Sequence, residues 1–237
     1  EAAPIEQALH QADLVYLAQP IERILTTLER VDAFLKPGAL VTDAGSTKAQ
    51  IAETGRRAVT RGQFLGGHPM AGKETRGVAE AEPDLFAGRT YVLTPQGPQD
   101  LETPAAEEFL GWIRRIGGVP VILDPVEHDR VVSWTSHLPQ LASTALAGAV
   151  ARGLDIGGYA RVAGPGLRDM TRLALSSFDI WKDILETNRP HIERALDAYI
   201  AELQRLRERV AAPGLKSEFD AGGQFAARLR KMHGENA

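Results

Sequence analysis

The stretch ADLVYLAQPIERILTTLERVDAFLKPGALVTDAGS, residues 12–46, decides the fold. Its first apolar run, ADLVYLA, is closed by Pro20 and does not alternate with polar residues, so it reads as a strand buried on both faces, the kind found in parallel sheets. Ile21, Ile24, Leu25, Leu28, Val31 and Leu35 then recur at three- and four-residue spacing, which is a helix with one apolar face. A Pro37-Gly38 turn leads to a second apolar run ending near Asp43. Strand, crossover helix and strand in this order form the repeat of an open α/β sheet. Farther along, Thr47-x-x-Gln50 has the form of a capping box and predicts the next helix. GQFLGG (62–67), RTYVLTP (89–95) and GGVPVILD (117–124) predict three more strands, with a helix over Pro104–Ile116.

From Asp124 the pattern changes. Asp124-Pro125-x-Glu127 is a helix start: a cap, a proline in the first turn and an acid at the positive end of the dipole. Beyond it no strand is expected. Residues from Val131 to Leu146 predict a long apolar helix kinked at Pro139, residues 178–210 another long one, and a last helix follows Pro213-Gly214. The expected division is therefore 1–124, an α/β domain, and 125–237, an all-helical domain. A helical half this apolar predicts burial against a second copy, a homodimer through the helical domain.

Composition narrows the function. With 27 Lys and Arg against 31 Asp and Glu the net charge is −4, which argues against nucleic acid or an acidic membrane as partner. No apolar run approaches the roughly 18 residues of a membrane span. Cysteine is absent, which fits a reducing, cytoplasmic setting and removes thiol chemistry and Cys-ligated zinc. The six histidines include no H-E-x-x-H pair, and His128 and His137, nine apart, share no helical turn, so no metal site is expected.

Ligands of open α/β sheets bind beyond the carboxyl ends of the strands. Three loops are expected there, AQP (18–20), DAGSTK (43–48) and GGHPMAGKE (66–74), which would gather Asp43, Ser46, His68, Lys73 and Glu74. Pro69 pushes His68 out of the helical region, and Gly66 and Gly67 permit close approach, so the imidazole is aimed and suits a general base. The plainer reading is a histidine bonded to a neighbouring carbonyl. Ser46 is a substrate or cofactor contact, or an ordinary helix cap. Arg168 and Arg172, four apart, would share a helix face and suit a carboxylate, or else pair with Asp169 in solvent. His137 and Trp181 read, by themselves, as core residues.

Taken together, VTDAGSTK (41–48), GGHPMAGKETRGVAEAEPDLFAGRTYVLTP (66–95), HDRVVSWTSHLP (128–139), GLRDMTRLA (166–174) and IWKDILETN (180–188) resemble, in order, the prephenate and arogenate dehydrogenases of tyrosine biosynthesis. The resemblance implies a Rossmann-like dinucleotide-binding domain followed by an all-α dimerisation domain. It implies oxidative decarboxylation of prephenate or arogenate, with hydride passing to NAD or NADP. His68 would accept the proton of the ring hydroxyl, with Ser46 beside that hydroxyl and the nicotinamide. His137 and Arg172 would hold substrate, Arg172 at a carboxylate, and Arg168, Lys73 and Trp181 would line the pocket, partly across the dimer. Ala18, Pro20, Asp43, Gly45 and Ser46 are the expected cofactor contacts.

One departure stands out. A dinucleotide-binding domain opens with strand–G-x-G-x-x-G–helix, and no G-x-G-x-x-G occurs in the sequence. The N-terminal part of the Rossmann-like domain is thus expected to be missing from this chain. Two alternatives follow: another NAD(P)-dependent hydroxy-acid dehydrogenase with a helical dimer domain, or a non-catalytic, truncated helical dimer.

Overall fold

The computed structural model describes residues 4–72, 78–154, 160–210 and 214–232. Five strands, β1 (Leu14–Leu17), β2 (Leu40–Asp43), β3 (Gln63–Pro69), β4 (Thr90–Thr94) and β5 (Val119–Ile122), form one sheet in the order β1-β2-β3-β4-β5. Every neighbouring pair is parallel except β3 and β4, which run antiparallel with His68 opposite Val92. The expected crossovers are present as α2 (Ile21–Val31), α3 (Ala49–Ala58) and α4 (Pro104–Arg115); a short α1 (Ile5–Leu9) precedes β1.

Two cores form because side chains alternate across a strand. On one face Val41 and Phe64 meet Ile24 and Leu28 of α2 and Ile51 of α3. On the other, Leu40, Leu65 and Leu93 meet Ala106, Phe109 and Ile113 of α4. The caps hold locally: Thr103 Oγ1 accepts from Ala106 N at 3.2 Å, with Pro104 in the first turn of α4. In the turn before β2, Gly38 has φ 81°, a left-handed conformation that glycine adopts without strain.

After β5 the elements among the described residues are all helical. Asp124 caps α5 (Pro125–Val132), accepting from Val126 N at 2.8 Å and Glu127 N at 3.1 Å. The long helix expected from here breaks one turn ahead of Pro139. Ser133–His137 is a π-turn, closed by Leu138 N donating to Ser133 O, and α6 (Leu138–Gly153) follows with Pro139 in its first turn. A proline ring clashes with the carbonyl one turn back, and the widened turn gives it room. The second long helix also divides, into α8 (Phe178–Thr187) and α9 (Arg189–Arg209), after α7 (Pro165–Thr171) and a 3-10 turn, Arg172–Leu175. Asn188 sits at the break, where Pro190 lacks the amide that would continue the ladder.

Two compact units result, 1–192 and 193–237. The first carries the sheet together with α5 to α8, because residues just past Asp124 pack into the sheet's carboxyl edge. The second contains most of α9 and α10 (Leu215–Met232), linked internally by Arg209 Nη1 to Glu218 Oε1 at 2.8 Å. Phe219 and Phe225 lie exposed on α10.

Candidate functional site

GGHP is not a loop. It continues β3 to Pro69, and His68 is a strand residue, 8% exposed. The two glycines are required by packing. A Cβ on Gly66 would fall 2.4 Å from Thr94 Oγ1, and one on Gly67 would fall 2.7 Å from the main-chain oxygen of Asp43.

Past Thr42 the ladder between β2 and β3 is replaced by side chains. Asp43 Oδ1 accepts from Gly67 N at 3.1 Å, and its Oδ2 accepts from Gly45 N at 2.8 Å and pairs with Lys48 Nζ. Lys48 Nζ also donates to Gly67 O at 2.7 Å. Both partners of this ion pair are wholly buried. Burial pushes the Lys48 ammonium down from its ordinary pKa, and Asp43 pulls it back up. The strand end that carries His68 is thereby tied to the DAGSTK loop.

His68 Nδ1 lies 2.8 Å from His128 Nε2, and His128 Nδ1 lies 2.8 Å from Asp129 Oδ1. Asp129 Oδ1 also accepts from Lys48 N at 2.7 Å, and Oδ2 accepts from Ala49 N at 2.9 Å. The start of α3 is therefore capped by Asp129, 80 residues away in sequence, and not by the expected Thr47 box: Thr47 Oγ1 instead meets Thr187 Oγ1 at 2.8 Å. The protons follow from this arrangement. A carboxylate only accepts, so His128 donates from Nδ1, and with both rings neutral its Nε2 accepts from His68 Nδ1–H. The lone pair of His68 is then on Nε2, the atom a general base uses. Burial first, then the cost of placing an imidazolium beside His128, Lys48 and His137, holds the His68 pKa well below the usual value of 6.5.

His137 is the third buried imidazole, after His68 and His128. Its ring meets Trp181 edge-on, centroids 5.8 Å apart at 88°. Its Nδ1 lies 3.2 Å from Asn188 Nδ2, which also donates to the Asp129 carbonyl at 2.8 Å. Burial lowers the His137 pKa to about 4, against the upward pull of Asp129.

A cleft of about 470 Å³ opens at the carboxyl ends of β1 and β2. Ala18, Pro20, Gly45 and Ser46 line it, facing Asp179 and Ile180 of α8. A Cβ on Gly45 would fall 2.5 Å from Ile51 Cδ1, so the loop stays bare and close to the sheet. Asp43, expected as a cofactor contact, has both oxygens engaged in the protein and acts on the cleft through Gly45. Trp181 packs partly buried against the core of the α2 face. Arg168 lies exposed on α7, and Arg172, also exposed, begins the 3-10 turn just past it; the next residue, Leu173, accepts from Gln140 Nε2 at 2.8 Å, close to where α6 leaves His137. Lys73 and Glu74 lie outside the described residues. His128, Asp129, Lys48 and Asn188 were not singled out from the sequence. Their one signal was polar residues, HD and N, set at the rims of apolar helical segments.

Two family models match the chain: "Prephenate dehydrogenase, nucleotide-binding domain" over residues 1–119 and "Prephenate dehydrogenase, dimerization domain" over residues 124–221. The chain is 34% identical over 200 residues to prephenate dehydrogenase of Bacillus subtilis, covering 83% of this chain and 53% of that protein. It is 30% identical over 220 residues to cyclohexadienyl dehydrogenase of Zymomonas mobilis, covering 88% and 71%. The structure matches Synechocystis arogenate dehydrogenase with a TM-score of 0.80 at 29% identity, covering 98% of this chain and 82% of that one. It matches prephenate dehydrogenase from Aquifex aeolicus in complex with hydroxyphenyl propionate and NAD+ with a TM-score of 0.79 at 26% identity, covering 98% and 80%. The chain spans about half the length of the Bacillus subtilis and Lactococcus lactis relatives, 53% and 49%.

Proposed function

Because the chain belongs to the prephenate dehydrogenase family, we propose that it oxidatively decarboxylates prephenate, or its amino counterpart arogenate, to 4-hydroxyphenylpyruvate or tyrosine. The observation that carries this is the Asp129–His128–His68 chain of hydrogen bonds, which puts a lone pair on an imidazole of lowered pKa.

When bound, NAD or NADP would supply the hydride acceptor for the ring carbon that bears the hydroxyl. The cleft beside Ser46 fits the nicotinamide end of such a group: it is lined by small residues and kept open by Gly45. His68 Nε2 takes the hydroxyl proton as that carbon becomes a carbonyl. Loss of the ring carboxylate as carbon dioxide returns its electron pair to the ring, which aromatises as the oxygen takes the proton back from His68. Ser46 orients the hydroxyl, His137 bonds a substrate oxygen, and Arg172 pairs with a substrate carboxylate; Arg168, Lys73 and Trp181 complete the pocket. Most of the protein's contribution is positioning, and a placed base adds roughly 10²–10⁴-fold. The NAD+ complex of the Aquifex aeolicus enzyme supports a nicotinamide cofactor. The helical region is the dimer interface of this reading, supported by its match to a dimerization domain and by exposed Leu175, Phe178 and Phe219.

The test follows reduced nicotinamide absorbance with prephenate or arogenate, each paired with NAD+ or NADP+. One productive pair is expected, and it identifies both substrate and cofactor. Silence in all four overturns the reading.

A further inference from the structure

Asn188 lies between two helices, where an asparagine ordinarily caps the second by accepting from its first-turn amides through the side-chain oxygen. Its side chain does something else. Among the described residues Oδ1 has no hydrogen-bond partner although the residue is 1% exposed, and the cap is made by the main chain alone, Ile192 N donating to Asn188 O at 3.1 Å. A buried acceptor without a partner is a standing cost that a hydrocarbon of similar shape would avoid. What the amide provides is its NH₂ group, turned to two acceptors in different segments: the Asp129 carbonyl at 2.8 Å and His137 Nδ1 at 3.2 Å.

The proton inventory of these groups leaves one arrangement. A main-chain carbonyl has no hydrogen, so the Asn188 atom facing Asp129 O is the nitrogen. One N–H goes to that carbonyl, and the second points at His137 Nδ1, which must be bare to receive it. The imidazole then carries its hydrogen on Nε2. We propose that Asn188 is a positioning residue that holds His137 in the Nε2–H tautomer, so that this ring meets the substrate as a hydrogen-bond donor while His68 meets it as an acceptor. The two histidines, both buried, are given opposite roles by what their Nδ1 atoms touch. His128 takes a hydrogen from one, and Asn188 gives a hydrogen to the other. Asp129 fixes both arrangements, through its carboxylate toward His128 and its carbonyl toward Asn188. A donor at this position selects a substrate oxygen that is anionic or carbonyl in character.

The tautomer is read on the protein without substrate; only the kinetic arm rests on the proposed reaction. In protein with ¹⁵N-labelled histidine at pH 7.5, long-range ¹H–¹⁵N correlation distinguishes a protonated from a bare ring nitrogen, with His137 assigned by its loss in His137→Gln. The wild type is expected to show Nε2 protonated and Nδ1 bare. Asn188→Asp, which keeps the shape but turns a donor into an acceptor, is expected to move the hydrogen to Nδ1, and Asn188→Ala to give a mixture. In the kinetic arm Asn188→Asp raises KM by at least tenfold with a smaller change in kcat. A wild-type ring with hydrogen on Nδ1, or a pattern unmoved by Asn188→Asp, overturns the proposal even if a variant folds poorly, since the wild-type spectrum decides by itself. The expected tautomer with no dehydrogenase activity in any substrate and cofactor pair would retain this assignment and remove the reaction.

Discussion

In the proposed reaction His68 serves as a base because its proton is placed elsewhere. The hydrogen on Nδ1 is committed to His128, and burial above all, then the nearness of His128, Lys48 and His137, disfavours the imidazolium. His68→Asn keeps the size of the group but removes the lone pair on Nε2. It is expected to lower kcat by roughly 10²–10⁴-fold with an unchanged far-UV circular dichroism spectrum. Because the neutral form is the active one and its pKa is lowered, the acid limb of kcat/KM is expected below pH 6.5; a limb at or above 6.5 would contradict the assignment. His137 adds a linked effect on stability. Its pKa falls from 6.5 to about 4 on folding, so between these values the unfolded chain binds more protons than the native one. Stability from this group is whole above pH 6.5 and declines as pH falls through the window, by on the order of 3 kcal/mol at its acid end. Urea titrations of wild type and His137→Gln from pH 7 to 4 measure it, and the variant should show the shallower decline.

At the scale of elements, the join between β2 and β3 depends on an ion pair where a ladder would ordinarily continue. Lys48→Met leaves the Asp43 carboxylate buried beside two amides with its cation removed, and is expected to cost about 3–5 kcal/mol in urea unfolding. Asp43→Asn together with Lys48→Met should recover part of that loss, since no lone charge is then buried. Gly67→Ala brings a methyl against the Asp43 carbonyl and should cost about 1–3 kcal/mol while lowering activity, because the backbone that yields is the one bearing His68. The same elements show how far local pattern reaches. Strand and helix alternation to Asp124, the Asp124 cap and the helix after Gly214 could all be read from neighbours in sequence, and so could the place of Ser46 beyond the end of β2. Three features could not, because each is settled by a distant partner. β3 runs on through GGHP since Thr94 and the Asp43 carbonyl fill the space a side chain would need. α3 takes its cap from Asp129. His128 and His137, nine steps of about 100° apart, belong on opposite sides of a regular helix, and it takes the π-turn before Pro139 to bring both to one site.

For the whole molecule, two divisions of the chain differ in an instructive way. The family models part between residues 119 and 124, whereas compactness parts the chain after 192. The intervening helices carry His128, Asp129, His137, Trp181 and Asn188, so the segment that begins the helical half is also the wall of the site. Exposed apolar residues occur among these helices, at Leu175 and Phe178, and in the second unit, at Phe219 and Phe225. Light scattering after gel filtration is expected to give twice the chain mass of 25.7 kDa, and Leu175→Asp with Phe219→Asp to give the single mass. A wild-type monomer would remove the proposed dimer.

Asp129 has one further consequence. Both imidazoles hang from this single residue, one by its carboxylate and the other, through Asn188, by its carbonyl. His68 itself is anchored on β3, so the helix that bears Asp129 is the common reference for both rings, and a substitution of Asp129 would unsettle both proton arrangements at once.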